Sequence, residues 1–217
     1  MEKRKHVVIL AAGDFPTHSI PLQALRDADY IVCCDSAYCQ LSIANCQLST
    51  PFVVVGDGDS LPADLKRSLG ARWVHVDEQN YNDLHKAMSW IASNYQLSTI
   101  NYQLSILGAT GKREDHTLGN ISYLVTFAEE YPGVEIEMLT DYGRFTAFQG
   151  SRTFPSFPRQ QVSVFSMDPD STLFSYGLKW PLNGLKSCRW WQATLNEALA
   201  DSFELSSEGW VIVFQTY

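Results

Sequence analysis

Two aspartates, Asp57 and Asp59, close the apolar run Pro51-Phe-Val-Val-Val-Gly-Asp-Gly-Asp-Ser60. Glycine permits tight backbone turns, so both carboxylates can point into one small volume past the end of a strand. Like charges held that close raise each other's pKa unless a cation sits between them. Oxygen donors suit a hard ion such as Mg2+, which takes a few carboxylates together with water and substrate phosphates. A surface turn in which Asp59 caps the following helix is the competing reading. Further along, Ile106-Leu-Gly-Ala-Thr-Gly-Lys-Arg113 is a glycine-containing turn leading into a helix. Backbone N–H groups of such a turn and the helix N-terminal dipole favour bound phosphate. Gly108, Thr110, Gly111, Lys112 and Arg113 are therefore candidate phosphate-binding residues. The spacing is not that of a Walker P-loop, which needs four residues between its glycines and a Ser or Thr after the Lys, whereas Lys112-Arg113-Glu114 follows here.

Elements that could position these groups alternate along the first two-thirds of the chain. Apolar runs at Val7–Leu10, Tyr30–Cys33, Phe52–Val55, Trp73–Val76, Leu104–Leu107 and Val134–Leu139 read as strands. Helical patterns fall near Leu22–Asp27, Ala63–Ser68, Asn82–Ser93 and Asp115–Glu130. Strands alternating with helices imply βαβ units and a mostly parallel sheet covered on both faces. Beyond Tyr142 the segments Thr146–Phe148, Gln161–Phe165, Leu173–Tyr176 and Trp210–Phe214 are rich in aromatics and Val, with Pro, Gly and Ser between them. The fold class expected is α/β: a three-layer, mostly parallel sheet domain over residues 1–143, followed by an all-β sandwich over residues 144–217.

In an open parallel sheet, ligands bind beyond the carboxyl ends of the strands. Reading those ends in turn gives Asp14, then Asp35, then Asp57 and Asp59, then Asp77 to Asp83, and then the glycine turn. Any one aspartate can be a helix cap, but their accumulation on one edge points to a cation held by Asp57, Asp59 and Asp83, with Asp35 close by. Lys86 lies one turn after Asp83 and can reach a phosphate or remain a solvated surface lysine. Asp115 can orient a substrate hydroxyl or cap its helix; the neighbouring His116 reads as structural.

The formal net charge of −8 argues against nucleic acid or an anionic membrane as partner. Five cysteines, an odd number without metal-type spacing, read as reduced thiols. The apolar stretch Val7–Ala12 is too short for a signal-peptide core or a membrane span, so a cytoplasmic location is expected. A short word recurs in two places: Cys39-Gln-Leu-Ser-Ile-Ala-Asn45 with Cys46-Gln-Leu-Ser-Thr50, and Asn94-Tyr-Gln-Leu-Ser-Thr-Ile100 with Asn101-Tyr-Gln-Leu-Ser-Ile106. These copies read as insertions at tolerated positions, with no chemistry of their own.

Five segments in order make the chain resemble the thiamine pyrophosphokinase (thiamine diphosphokinase) family. They are Cys34-Asp-Ser-Ala37, Gly56-Asp-Gly-Asp-Ser60, Asp83 with Lys86, Gly108 to His116, and, in the second domain, Tyr176-Gly-Leu-Lys-Trp-Pro-Leu182 with Thr194-Leu-Asn-Glu197. The resemblance implies a homodimer with active sites between subunits, converting ATP and thiamine to thiamine pyrophosphate and AMP. It implies Mg2+ on Asp57, Asp59 and Asp83 with Asp35 assisting, and ATP phosphates on Lys86 and Arg113. It puts Gln79, Asp115, Thr194 and Asn196 around thiamine, with Asp115 or a carboxylate near Asp35 taking the hydroxyl proton. Leu195 stands where the family has serine, Lys112 where it has glycine and Asn82 where it has threonine. Trp180, Trp190 and Trp191 are candidates for stacking on the cationic ring or for the sandwich core. Two rival readings are a Mg-dependent nucleotidyltransferase and a nucleotide- or thiamine-sensing module without turnover.

Overall fold

The computed structural model describes residues 4–43, 50–95, 102–186 and 189–217. The central residues of the repeated words, 44–49 and 96–101, lie outside the described residues. The chain divides into two compact units, one of residues 1–123 with 130–141, the other of residues 124–129 with 142–217.

In the first unit, strands β1 (Lys5–Leu10), β2 (Tyr30–Cys34), β3 (Phe52–Gly56), β4 (Trp73–His75), β5 (Tyr102–Leu107) and β6 (Glu135–Leu139) form a parallel sheet in the order β6-β5-β1-β2-β3-β4. The connecting helices are α1 (Ser19–Arg26), α2 (Ala37–Ile43), α3 (Ala63–Leu69), α4 (Asp83–Asn94) and α5 (Glu114–Glu130). Strand residues alternate between two buried faces, which is why the runs are apolar throughout rather than at every second position. Val8, Leu10, Ile31, Cys33 and Val54 join Leu25, Leu41 and Leu69 of α1, α2 and α3 in one core cluster. Val7, Ile9, Val32 and Val55 are equally buried on the opposite face, and α4 packs there with Leu84, Ala87, Met88 and Ile91 buried. The sheet is thus the middle of three layers, as its sequence pattern predicts.

Sequence reading misses one helix, α2. Its seven residues, Ala-Tyr-Cys-Gln-Leu-Ser-Ile, carry no charge and overlap the first repeated word, so no amphipathic period stands out.

The strand order reverses between β1 and β5: the chain builds outward from β1 to β4, then returns to add β5 on the other side of β1. Such a switch point separates the loops that follow the two central strands and opens a crevice between them. Here the two loops also stay bonded beyond the strand ends: Gly13 N donates to Gly108 O at 2.7 Å and Asp14 N to Thr110 O at 2.9 Å.

The second unit is built on two long antiparallel strands, β7 (Gly143–Pro155) and β12 (Ser202–Thr216). Their pairing shifts register between Ser207 and Val211. Before the shift β12 pairs on its other edge with β9 (Thr172–Tyr176), and after it with β8 (Gln161–Ser166). Two short strands, β10 (Leu185–Lys186) and β11 (Asn196–Glu197), pair with β9 and β8 respectively. A bulge bends a sheet and raises its twist, so the halves wrap a core of Phe148, Phe154, Val162, Val164, Phe203, Leu205 and Val213. The sequence shows only Thr146–Phe148 of β7 and Trp210–Phe214 of β12, because the remaining halves carry exposed Gly150 and Ser151, and Ser202, Glu204 and Glu208.

A Cβ at Gly13 would lie 2.3 Å from Thr110 O and 2.5 Å from Gly108 O, both backbone atoms held in the interlocked loops. Gly13→Ala is expected to destabilise the protein by about 1–3 kcal/mol, the usual range for overpacking. Urea unfolding measures this; a variant as stable as the parent would contradict the interlocked loops.

Candidate active site

A cleft of about 360 Å³ opens at the switch point. Its lining includes Ala11, Ala12 and Gly13 after β1, Asp57 after β3, Gln79, Tyr81 to Leu84 and Lys86 at and before the start of α4, and Ala109 with Gly111 to Arg113 after β5. His116 and Asn120 of α5 complete it. Asn82 caps α4 by accepting from His85 N at 3.1 Å, and its Nδ2 donates to Asn120 Oδ1 at 2.9 Å. Asn120 Nδ2 in turn donates to Ala109 O at 2.8 Å. This chain ties the first turn of α4 to α5 and to the glycine turn, so the N-terminal ends of both helices border one cleft. Helix N-termini favour anions.

The glycine turn is held from the β1 side. Lys112, at φ +57°, donates from Nζ to Ala12 O at 2.7 Å. Gln40 of α2, part of the first repeated word, donates to Gly13 O at 2.9 Å. That residue was assigned no role from the sequence, yet it braces the loop after β1. Gly111 has φ +81°, and a Cβ there would run into the Asp14 carboxylate.

The acidic residues divide sharply. Asp57 uses one oxygen to accept from Asp59 N at 3.1 Å, which builds the turn, and the other to accept from Lys86 Nζ at 3.0 Å. Asp83 Oδ1 lies 3.2 Å from the same ammonium. The Lys86 side chain is only 3% exposed, so it is no solvated surface lysine: it is a buried cation between two carboxylates. The Asp59 N–H and the Lys86 ammonium hold the Asp57 carboxyl below its ordinary value. Burial acts to lower the Lys86 pKa, but its bonds to Asp57 and Asp83 prevail and raise it. Asp59 itself is exposed.

Asp35 is buried at 2% exposure with φ +39°, a conformation that costs a non-glycine residue energy. Its Oδ2 accepts from Ser60 N at 3.1 Å, and its Oδ1 is buried without a partner. Desolvation pushes its carboxyl up, with Asp83 and Asp57 adding repulsion.

Among the described residues, no three acidic, His or Cys side chains stand close enough to ligate one metal ion. The sequence-based trio of Asp57, Asp59 and Asp83 is therefore not a preformed cage: Asp57 and Asp83 meet at Lys86, while Asp59 contributes its backbone N–H. Two adjacent carboxylates and the unpartnered Asp35 oxygen nevertheless suit a hard ion. Mg2+ is usually held by one or two carboxylates, with phosphate and water supplying the rest.

Arg113 and Asp115 form a bidentate pair, with Nε to Oδ1 at 3.1 Å and the terminal nitrogen to Oδ2 at 2.5 Å. The Arg113 fork and the His116 N–H hold the Asp115 carboxyl down at about 2. Asp115 is absent from the cleft lining, and a carboxylate so weakly basic is poorly suited to take a proton near neutral pH. Gln79 lines the cleft, whereas Gly108 and Thr110 shape its turn without lining it. Thr194 and Asn196 line a depression formed by the second unit alone, with Trp180 to Leu185. Asn196 is engaged there, accepting from Trp180 N and Glu197 N and donating to Trp180 O. Leu195 beside it has φ +58° and is 70% exposed. Trp180 and Trp191 are exposed rather than core, and Lys179 Nζ already lies 4.8 Å from the Trp180 ring centre.

Tyr81 and Asn120 line the cleft without having been singled out in the sequence. Tyr81 stacks on His85 with ring centres 4.0 Å apart. Asn120 lies one helical turn beyond His116, so the phase of α5 was the available signal.

Residues 22–137 match the family model of the thiamin pyrophosphokinase catalytic domain, and residues 143–214 match that of the thiamin pyrophosphokinase substrate-binding domain. The chain belongs to the thiamin pyrophosphokinase family. A Caenorhabditis elegans thiamin pyrophosphokinase is 28% identical over 103 residues, which are 47% of this chain and 42% of that one. A rice (Oryza sativa subsp. japonica) thiamine pyrophosphokinase is 38% identical over 96 residues, 42% of this chain and 35% of that one. The chain thus spans less than half the length of the curated relatives it matches. The fold resembles solved thiamin pyrophosphokinases from Candida albicans (TM-score 0.84, 19% identity, 99% of this chain and 90% of that one) and Bacillus subtilis (0.76, 21%, 98% and 99%).

Carboxyl-carbon NMR titration should give Asp115 a midpoint of about 2. The carboxylate then stays ionised throughout the neutral range. A midpoint near the ordinary value of 3.8 would contradict the Arg113 pair.

Proposed function

We propose that this protein transfers the pyrophosphoryl group of ATP to the hydroxyl of thiamine, giving thiamine pyrophosphate and AMP. The observation that carries the reading is the Asp57–Lys86–Asp83 cluster, set in a cleft whose opposite wall is a glycine turn between two helix N-termini. Acid and base groups facing each other across a cleft of that size suit a metal-bound polyphosphate, and membership of the family supplies the substrate pair.

In this reading the thiamine oxygen bonds to the β-phosphorus as the bridge from Pα to Pβ breaks, and AMP leaves with the bridging oxygen. The hydroxyl proton passes to water, since phosphoryl-type transfers depend mainly on positioning and charge neutralisation and need little base. Asp57 and Asp83, with Asp35 and Asp59 nearby, are the residues to hold Mg2+, which when bound neutralises phosphate charge. Lys86, Lys112 and the Gly111–Arg113 backbone bind and orient the phosphates. Arg113 does so only by sharing its fork with Asp115. Gln79 and Tyr81 are placed to contact the acceptor or the base of the nucleotide.

The reading assigns ATP and metal binding to residues 1–143 and thiamine contacts to residues 144–217, including Thr194 and the exposed Trp180 and Trp191. It extends to a homodimer with thiamine held at the subunit interface. Cys33 and Cys34, buried as free thiols, suit a reducing compartment such as the cytoplasm. No helix among the described residues is long and apolar enough to cross a membrane.

Incubation with thiamine, ATP and Mg2+, following AMP and thiamine pyrophosphate together, tests the proposal. Equal amounts of both are expected, falling about 100-fold or more in Asp57→Asn or Asp83→Asn, the scale of losing one preorganised electrostatic group. Pyrophosphate release would point instead to nucleotidyl transfer, and binding without turnover to a sensing module.

A further inference from the structure

Lys86 presents a problem for the metal site. Its ammonium sits 3.0 Å from Asp57 and 3.2 Å from Asp83, the position a divalent ion bridging those carboxylates would need. We propose that Lys86 is a resident counter-cation that keeps the two carboxylates closed to divalent metal until the phosphates of the nucleotide draw its ammonium away, so that metal enters with the nucleotide and not before it. The inference rests on the metal–polyphosphate reading above and adds an order of events to it.

Three features of the structure support this. The Lys86 side chain is almost fully buried, so a metal ion arriving alone would have to settle beside a positive charge whose only charged partners among the described residues are the two carboxylates it seeks. The carboxylates are the partners that compensate that buried charge, and taking both away would strand it. Finally, the cleft is open on the phosphate side: Gly111, Lys112 and Arg113 line it together with Lys86. Lysine's flexible stem and three rotatable donors let its head swing from carboxylate to phosphate oxygen, a movement that a rigid arginine fork paired to a carboxylate does not make. A bound triphosphate thus supplies the replacement partner and the remaining metal ligands in one step.

Mn2+ is the probe, its free concentration read by electron paramagnetic resonance on the full chain. Without nucleotide, the wild-type protein is expected to bind Mn2+ weakly, in the millimolar range or above. Addition of α,β-methylene ATP should strengthen Mn2+ binding beyond that of the nucleotide alone. Lys86→Met, with Lys86→Gln as a second variant should the first fail to fold, is expected to bind Mn2+ at least tenfold more tightly than wild type without nucleotide. Lys112→Met controls for charge alone: it removes a cation from the same cleft that touches neither carboxylate, and should change the affinity less than threefold. Micromolar Mn2+ binding by the nucleotide-free wild type would overturn the proposal without recourse to any variant. So would equal gains in the Lys86 and Lys112 variants. The tenfold gain in a protein that forms no thiamine pyrophosphate would retain the counter-cation and remove the reaction; turnover without the gain would remove the counter-cation alone.

Discussion

The hydrogen bonds that join the loops after β1 and β5 are the constraint on which the cleft depends. The parallel ladder does not stop at the strand ends: Ala11, Gly13 and Asp14 continue it by donating to Leu107, Gly108 and Thr110. Two loops at a strand-order reversal would otherwise diverge. Bonded in this way, they form a continuous backbone floor that only glycine permits at position 13. Lys112 and Gln40 fasten the same floor from either side, and Asn120 fastens the turn to α5. The wall proposed to bind phosphate is therefore tied down by hydrogen bonds in the ligand-free protein, and preorganisation of that kind reduces the ordering cost of binding.

In and beside the cleft, charges are paired locally. Asp57 and Asp83 share Lys86, and Arg113 and Asp115 share each other. An overall charge of −8 therefore says little about the cleft, where cations and anions alternate over a few ångströms. The buried Asp35 carboxyl, with one oxygen unpartnered and its backbone strained, stands outside these pairs. Strain and unsatisfied polar groups tend to persist where function requires them.

The parallel sheet was legible because strands buried on both faces read as unbroken apolar runs, and the helices because α1, α3, α4 and α5 carry charge and a 3.6-residue period. Helix α2 lacked both. The long strands β7 and β12 were read short because a solvated strand face carries residues that also suit turns. In the site, Asp57, Asp83, Lys86, Gln79 and the Gly111–Arg113 turn were visible through residue type and order. What the sequence could not convey was which charge pairs with which. Grouping Asp57, Asp59 and Asp83 around a metal followed from their proximity along strand ends, but an adjacent ammonium competes for the same oxygens, and only side-chain positions show that it occupies them. Residue type leaves Asp115 open between base and helix cap, and its bidentate pairing with Arg113 is likewise visible only in side-chain positions. Ala11–Gly13 gave no signal, because a cleft wall made of backbone has no characteristic side chain.

The most direct test of this account is a crystal structure with Mg2+, thiamine and α,β-methylene ATP, whose bridge cannot be cleaved. The account predicts the triphosphate lying across Gly111–Arg113 and the Ala11–Gly13 backbone, metal on Asp57 and Asp83, and the Lys86 ammonium moved onto a phosphate oxygen. A nucleotide bound away from this cleft, or a metal ion bound with Lys86 still between the two aspartates, would contradict it.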